Sequence, residues 1–149
     1  MATDIKKIIT QEYLKCVKDP AYFMKKYCFI QHPTRGRILF ALYPFQEKIL
    51  HLFRDNQYII TLKSRQLGIS TLSAAYSLWL MLFHKDKNVL ALATTQATAR
   101  NLVTKTIFMY DQLPKWLRLR AVEKNKLSLR LKNGSKITAK SSNADAARS

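Results

Sequence analysis

The chain has 149 residues, enough for one domain with a buried core and too few for two. Apolar residues make up 48% and charged residues 23%, a globular balance that excludes disorder and fibrous repeats. Against 9 Asp plus Glu stand 26 Lys plus Arg, so the net charge of +17 favours polyanionic partners and argues against a site of clustered carboxylates.

Cys16 and Cys28 are too few for a disulfide framework and point to a reducing compartment. Cys28 and His32 supply at most half of the roughly four ligands a zinc site needs. The opening Met1-Ala-Thr-Asp-Ile-Lys-Lys lacks the apolar core of a signal peptide. The longest apolar run, Leu78 to Phe83, is six residues against the ~20 of a membrane span. A soluble, cytosolic protein is expected.

In chain order, Ile5, Ile8, Ile9, Tyr13, Cys16 and Val17 recur at helical spacing, with Thr3 or Asp4 placed to cap the start. Asp19-Pro20 reads as N-cap and first position of a second helix reaching about Tyr27. His32 to Gly36 reads as a loop and Arg37 to Tyr43 as extended. Pro44 opens a third helix with apolar positions Phe45, Ile49, Leu50 and Phe53. Tyr58-Ile-Ile-Thr-Leu62 is then a short β-rich run, ended by Lys63-Ser-Arg-Gln-Leu-Gly-Ile-Ser-Thr71. From Thr71 to about Phe83 the residues favour helix and are apolar nearly all round, so this helix should be buried. Asn88 to Thr94 looks like a buried strand, followed by a helix from about Gln96 to Asp111. Strand, tight turn, helix, strand, helix is the order of a parallel sheet with covering helices. Leu127, Leu129 and Leu131, then Asn133-Gly134, then Ile137 and Ala139 form a hairpin pattern with an expected type I′ turn.

The junction Lys63–Thr71 carries most of the chemistry. Phosphate-binding loops aim backbone N–H groups at an anion while a helix N-terminus adds its dipole. Gly68 offers the required backbone freedom, and Ser70 stands where a hydroxyl would meet phosphate-bound Mg²⁺. Against G-x-x-x-x-G-K-[ST], the chain has Lys63 at the first position and Ile69 at the lysine position. Isoleucine cannot neutralise a phosphate. The flexible ammonium of Lys63 enters from the other end of the same loop, and Arg65 adds a planar donor fork. On the residues alone, a phosphate loop and an ordinary βα turn with a basic edge both remain open.

Ser64-Arg-Gln-Leu-Gly68 with Ser70-Thr71 resembles the deviant Walker A loop of the large terminase subunit of tailed bacteriophages, the ATP-driven motor that packages viral DNA. Several members of that family keep the lysine at the front of the loop. Tyr43-Pro-Phe-Gln46 resembles the family's adenine-recognition segment, which implies Phe45 and Gln46 at the base. Ala91 to Gln96 with Ala99-Arg100 is similar to the segment after the second core strand in terminases and helicases. The Asn133-Gly134 hairpin and the closing Ser141-Ser142 to Ala147-Arg148 resemble the run-up to the family's Walker B strand. The resemblance covers about residue 36 onward. It implies a P-loop NTPase (RecA-like) α/β fold, with residues 36–149 as the first portion of an ATPase domain behind a helical region, 1–35.

By that resemblance Lys63, Ser64, Arg65, Gln66, Leu67, Gly68, Ile69, Ser70 and Thr71 bind nucleotide, Arg65 supports γ-phosphate charge, and Ser70 meets Mg²⁺ of Mg-ATP. Implied partners are double-stranded DNA, the phage portal and the small terminase subunit, with a homo-oligomeric ring only in the full-length motor. The implied location is the host cytoplasm and, transiently, the procapsid portal. No membrane partner is expected. Hydrolysis also needs a carboxylate for Mg²⁺ and another to activate water, and no Asp-Glu pair occurs in the chain. In the family that strand comes just past the last residue here, and a nuclease domain follows. The 149-residue chain alone is therefore expected not to turn over ATP.

Two other readings stay open. A helicase-type ATPase shares these segments but normally has Gly-Lys-Thr where this chain has Gly68-Ile-Ser70. A non-catalytic basic nucleic-acid-binding protein would use the loop only as a turn. Residues 115–149 carry ten Lys or Arg against Glu123 and Asp145, and Arg130, Lys132 and Lys136 give the hairpin a basic face. Trp79 reads as core and Trp116 as a loop anchor. His32, His51 and His84 are scattered and receive no acid–base role.

Overall fold

The computed structural model describes residues 2–142. Helices α1 (Ala2–Lys18) and α2 (Pro20–Tyr27) lead into a hairpin of β1 (Phe29–His32) and β2 (Gly36–Leu39). Helices α3 (Pro44–Asp55) and α4 (Ile69–Phe83) follow, then β3 (Asn88–Ala93), α5 (Gln96–Asp111), β4 (Ala121–Lys124), β5 (Ser128–Leu131) and β6 (Lys136–Ser141). The main sheet has the order β3-β6-β5-β4. Its β3–β6 pair is parallel, running from Asn88↔Lys136 to Ala93↔Ser141, and the other two pairs are antiparallel. The fold is thus α/β, with a parallel-containing sheet and flanking helices.

Local chemistry accounts for the helix starts. Asp19 is extended, its side chain accepts from the Ala21 N–H at 2.8 Å, and Pro20 occupies the first helical position. Pro44 likewise occupies the first turn of α3, where the Gln46 side chain, not a capping residue, accepts from the Tyr43 N–H at 3.0 Å. Thr95 caps α5 by accepting from the Thr98 N–H at 3.2 Å. Helix α1 begins at Ala2, upstream of the expected cap, and holds Asp4 in its first turn, where a carboxylate suits the helix dipole.

The core runs through every layer. Leu72, Leu78 and Met81 of α4 and Val103 and Met109 of α5 are buried, as are Leu129, Leu131 and Ile137 of the sheet and Phe23 and Met24 of α2. Helix α5 lies between α4 and strands β3 and β6. Trp79 is core, as expected, and its Nε1–H donates to the Cys16 carbonyl at 2.8 Å. That carbonyl needs an outside donor, because the residue four positions on is Pro20, which has no N–H. Glu12 joins α1 to α2. Its carboxylate accepts from Lys26 at 2.5 Å, Tyr22 at 2.6 Å and Tyr27 at 2.9 Å. The Lys26 and Tyr22 bonds hold it at a pKa of about 2.

Several expectations are corrected. Tyr58–Leu62 is not a strand: it pairs with nothing among the described residues, and Ile60 and Leu62 are fully exposed. A β-branched run has strand propensity, but a ladder also requires a neighbouring strand. Strand β3 is less buried than its composition suggested. Leu90 and Leu92 are exposed because successive side chains alternate between faces, and they lie on the face opposite buried Ala91. The 32–36 loop is the tip of the β1–β2 hairpin, whose first strand went unrecognised, and the extended run ends at Leu39 rather than Tyr43. Helix α4 starts at Ile69, two residues before Thr71. The β5–β6 turn is not type I′, which needs positive φ at both central residues. Only Gly134 has it (φ +85°), and the bonds Gly134 N–H to Leu131 O and Leu131 N–H to Ser135 O define a three-residue loop with a glycine bulge. Residues 143–149, which hold the Ala147-Arg148 part of the closing resemblance, lie outside the described residues.

Candidate functional site

Between α3 and α4 the chain runs without regular structure from Asn56 to Gly68. Its last six residues, Lys63 to Gly68, form the loop whose composition suggested phosphate binding. Two of them adopt the left-handed region: Gln66 at φ +63° and Gly68 at φ +72°. For glutamine this conformation is uncommon and costs of order 1 kcal/mol or more. Alternation of this kind turns successive N–H groups toward one side. The first helical bond of α4 runs from the Leu72 N–H to the Gly68 carbonyl at 2.9 Å, so the N–H groups of Ile69, Ser70 and Thr71 precede the helical ladder. Lys63, Ser64, Arg65, Gln66 and Ser70 are exposed, and Leu67 is 37% exposed. Lys63 Nζ donates only a long 3.4 Å bond to the Ser64 carbonyl.

Gln46 lies directly behind this loop. It is 1% exposed, so it is not a solvated helix residue. Its Oε1 accepts from the Tyr43 N–H at 3.0 Å and its Nε2 donates to the Leu67 carbonyl at 3.1 Å. One amide hydrogen and one lone pair stay uncommitted behind the loop. Beside it Phe45 stacks on Tyr43, with ring centroids 5.7 Å apart and planes within 8°. Phe45 is 37% and Tyr43 63% exposed, so this pair presents an aromatic surface. The structure therefore brings the Tyr43–Gln46 segment and the Lys63–Thr71 loop together through Gln46.

A cleft of about 490 Å³ opens beside the start of α4, between Ser70, the end of β3 at Ala93, and Thr98 and Asn101 of α5. Clefts at the carboxyl ends of parallel strands are where ligands bind in α/β sheets. Its lining carries the hydroxyls of Ser70, Thr98 and Thr104 and one cation, Lys105; Lys63 and Arg65 belong to the loop ahead of Ser70 and do not line it. Ser70 fits one oxygen position of a phosphate-bound Mg²⁺. Among the described residues no group of three or more His, Cys, Asp or Glu is placed to hold a metal by itself. Cys28 is fully buried, and burial pushes its thiol well above the usual range. Burial also raises Cys16 to about 11. Both are inert core thiols.

One residue of this region had no signal in the sequence: Lys105 on α5, whose Nζ donates to Thr71 Oγ1 at 3.0 Å. On the far side of the sheet Arg130 and Lys136 are paired across β5 and β6, both exposed. Like charges placed opposite each other repel. No helix among the described residues is long and apolar enough to cross a membrane.

No protein-family model matches the chain. Among solved structures it is similar to the large terminase of bacteriophage HK97, with a TM-score of 0.66 and 18% identity over 86% of this chain. The chain spans 28% of the length of that terminase. The fold is terminase-like.

Proposed function

We propose that the chain is the nucleotide-binding part of a phage DNA-packaging ATPase, a large terminase, with residues 36–149 as the first portion of the ATPase domain and 1–35 as its helical lead-in. The observation that carries this reading is the loop itself. Lys63 and Arg65 stand exposed ahead of three unpaired N–H groups at the start of α4, and Gln46 ties the loop to the aromatic Tyr43–Phe45 surface. The terminase-like fold supports it.

In this reading ATP and Mg²⁺ are the cofactors, and ATP supplies the energy for moving double-stranded DNA. Lys63 neutralises phosphate from the leading side of the loop. The backbone from Ser64 through Thr71 cradles it, including Leu67, Gly68 and Ile69, and Gln66 is held in the strained conformation that turns its N–H inward. Ser70 offers its hydroxyl to Mg²⁺. Arg65 stabilises negative charge that develops on the terminal phosphoryl group. Phe45 covers one face of the adenine and Gln46 meets its edge. A portal, a small terminase subunit and a ring of copies complete the motor, working in the host cytoplasm at the procapsid.

Binding of a fluorescent Mg-ATP analogue tests the assignment. Lys63→Ala should weaken it by about tenfold or more, the loss of one charged phosphate contact. Equal binding by wild type and variant, or none by either, favours a non-catalytic nucleic-acid-binding role instead. The exposed Arg130 and Lys136 would then be the working surface, as cations that can neutralise DNA phosphates.

A further inference from the structure

Lys105 is set apart from the other lysines by where it sits. It lines the 490 Å³ cleft that contains Ser70 and also a second cleft of about 290 Å³ that contains Thr71, Gln31 and Phe108. Its ammonium thus occupies the ridge between two hollows that flank consecutive residues of the loop. Neither cleft is lined by an Asp or Glu. Lys15, Lys25, Lys26 and Lys124 each meet a carboxylate within 4.0 Å, whereas the bond shown for Lys105 goes to a neutral hydroxyl, Thr71 Oγ1. An ammonium has three donors, so two remain for a ligand. Desolvation holds its pKa below the ordinary lysine value, as expected for a cation partly removed from water without a counter-charge. The stem is held by packing of α5 against α4, which fixes the approach direction of the charge.

We propose that Lys105 is a third polyphosphate-binding cation, reaching the anion from α5 across Thr71 while Lys63 and Arg65 reach it from the loop. The ligand class is a di- or triphosphate chain. A polyphosphate offers separate oxygens to the loop cations and to an ammonium that lines the clefts at both Ser70 and Thr71. This rests on the loop being the phosphate site, and it adds a residue that no loop motif contains. Thr71 becomes the parking position of the ammonium when no anion is bound.

The test is lysine-selective acylation read by mass spectrometry on the folded full chain, with sodium tripolyphosphate, Mg-ATP or a short DNA duplex as protectant. Tripolyphosphate should slow modification of Lys105, and Lys105→Gln should weaken tripolyphosphate binding about tenfold. Lys105→Arg should retain most of it, and thermal melting should show that both variants stay folded. Mg-ATP binding that leaves Lys105 unprotected overturns the proposal and leaves the nucleotide reading intact. Protection by tripolyphosphate in a chain that does not bind Mg-ATP upholds Lys105 as an anion site and rejects the nucleotide reading. Protection by duplex alone, or by none of the three, overturns the proposal.

Discussion

Gly68 stands where Gln46 leaves no room for a side chain. A Cβ on Gly68 would lie 2.8 Å from Gln46 Nε2, and the backbone there has φ +72°. Two independent constraints, one steric and one conformational, therefore select glycine. The buried amide that excludes the methyl group also bonds the preceding carbonyl, on Leu67. Loop shape and the α3 start are thereby set by the same side chain.

Gly68→Ala should consequently destabilise the fold by about 1–2 kcal/mol from the left-handed conformation alone, with the Gln46 contact adding to it. Denaturant melts read this. In the double variant with Gln46→Ala the losses should fall short of the sum, because removing the amide removes the clash. Strict additivity would show that the two residues do not meet.

The Glu12 cluster predicts a pH response. Its carboxyl is held near 2 by Lys26 first and Tyr22 next, below the ordinary 4.5. A depressed folded-state value means the stabilisation is present above pH 4.5 and is lost as the pH falls from there toward 2. Thermal midpoints should drop through this window in wild type and fall less steeply in Glu12→Gln. Identical slopes would reject the role of this carboxylate.

Trp79→Phe keeps an aromatic ring in the core and deletes the donor to Cys16. The carbonyl it leaves behind has no helical partner, since Pro20 follows at the fourth position. A cost of about 1–3 kcal/mol is expected in chemical denaturation, the range for a buried polar group left unsatisfied. A cost near zero would mean that water reaches this carbonyl.

Arg130 stands between Glu123 on β4 and Lys136 on β6, so Lys136→Glu replaces its like-charged neighbour with a second carboxylate. Stability should rise by roughly 0.2–1 kcal/mol. If this face tracks DNA, duplex affinity should fall and its salt dependence should become shallower, by about one counterion for the lost lysine and more for the added carboxylate. Unchanged duplex binding would place DNA elsewhere on the surface.

Features that depend on neighbours in sequence were legible. Asp19-Pro20 and Pro44 announce helix starts through local caps, and Gly68 and Gly134 mark turns because each carries positive φ. The loop and the Tyr43–Gln46 segment each stood out as motifs, whereas the bond from Gln46 to the Leu67 carbonyl that joins them did not. Features that depend on distant partners were not. Tyr58–Leu62 has the composition of a strand but meets no ladder among the described residues, and β1 and β4, four residues each, are strands only through their partners. Lys105 sits at an ordinary helical position, and only the packing of α5 on α4 carries it to Thr71.

The indole of Trp79 sits ten residues into α4, ~15 Å along the axis from Ile69 at 1.5 Å per residue, and grips the end of α1. Any tilt of the helix that begins at the loop must drag the amino-terminal helices along, like a lever bolted to its handle. The stretch from 56 to 68 ahead of α4 has no regular structure, so a displacement of the helix start would be taken up there or passed to α1.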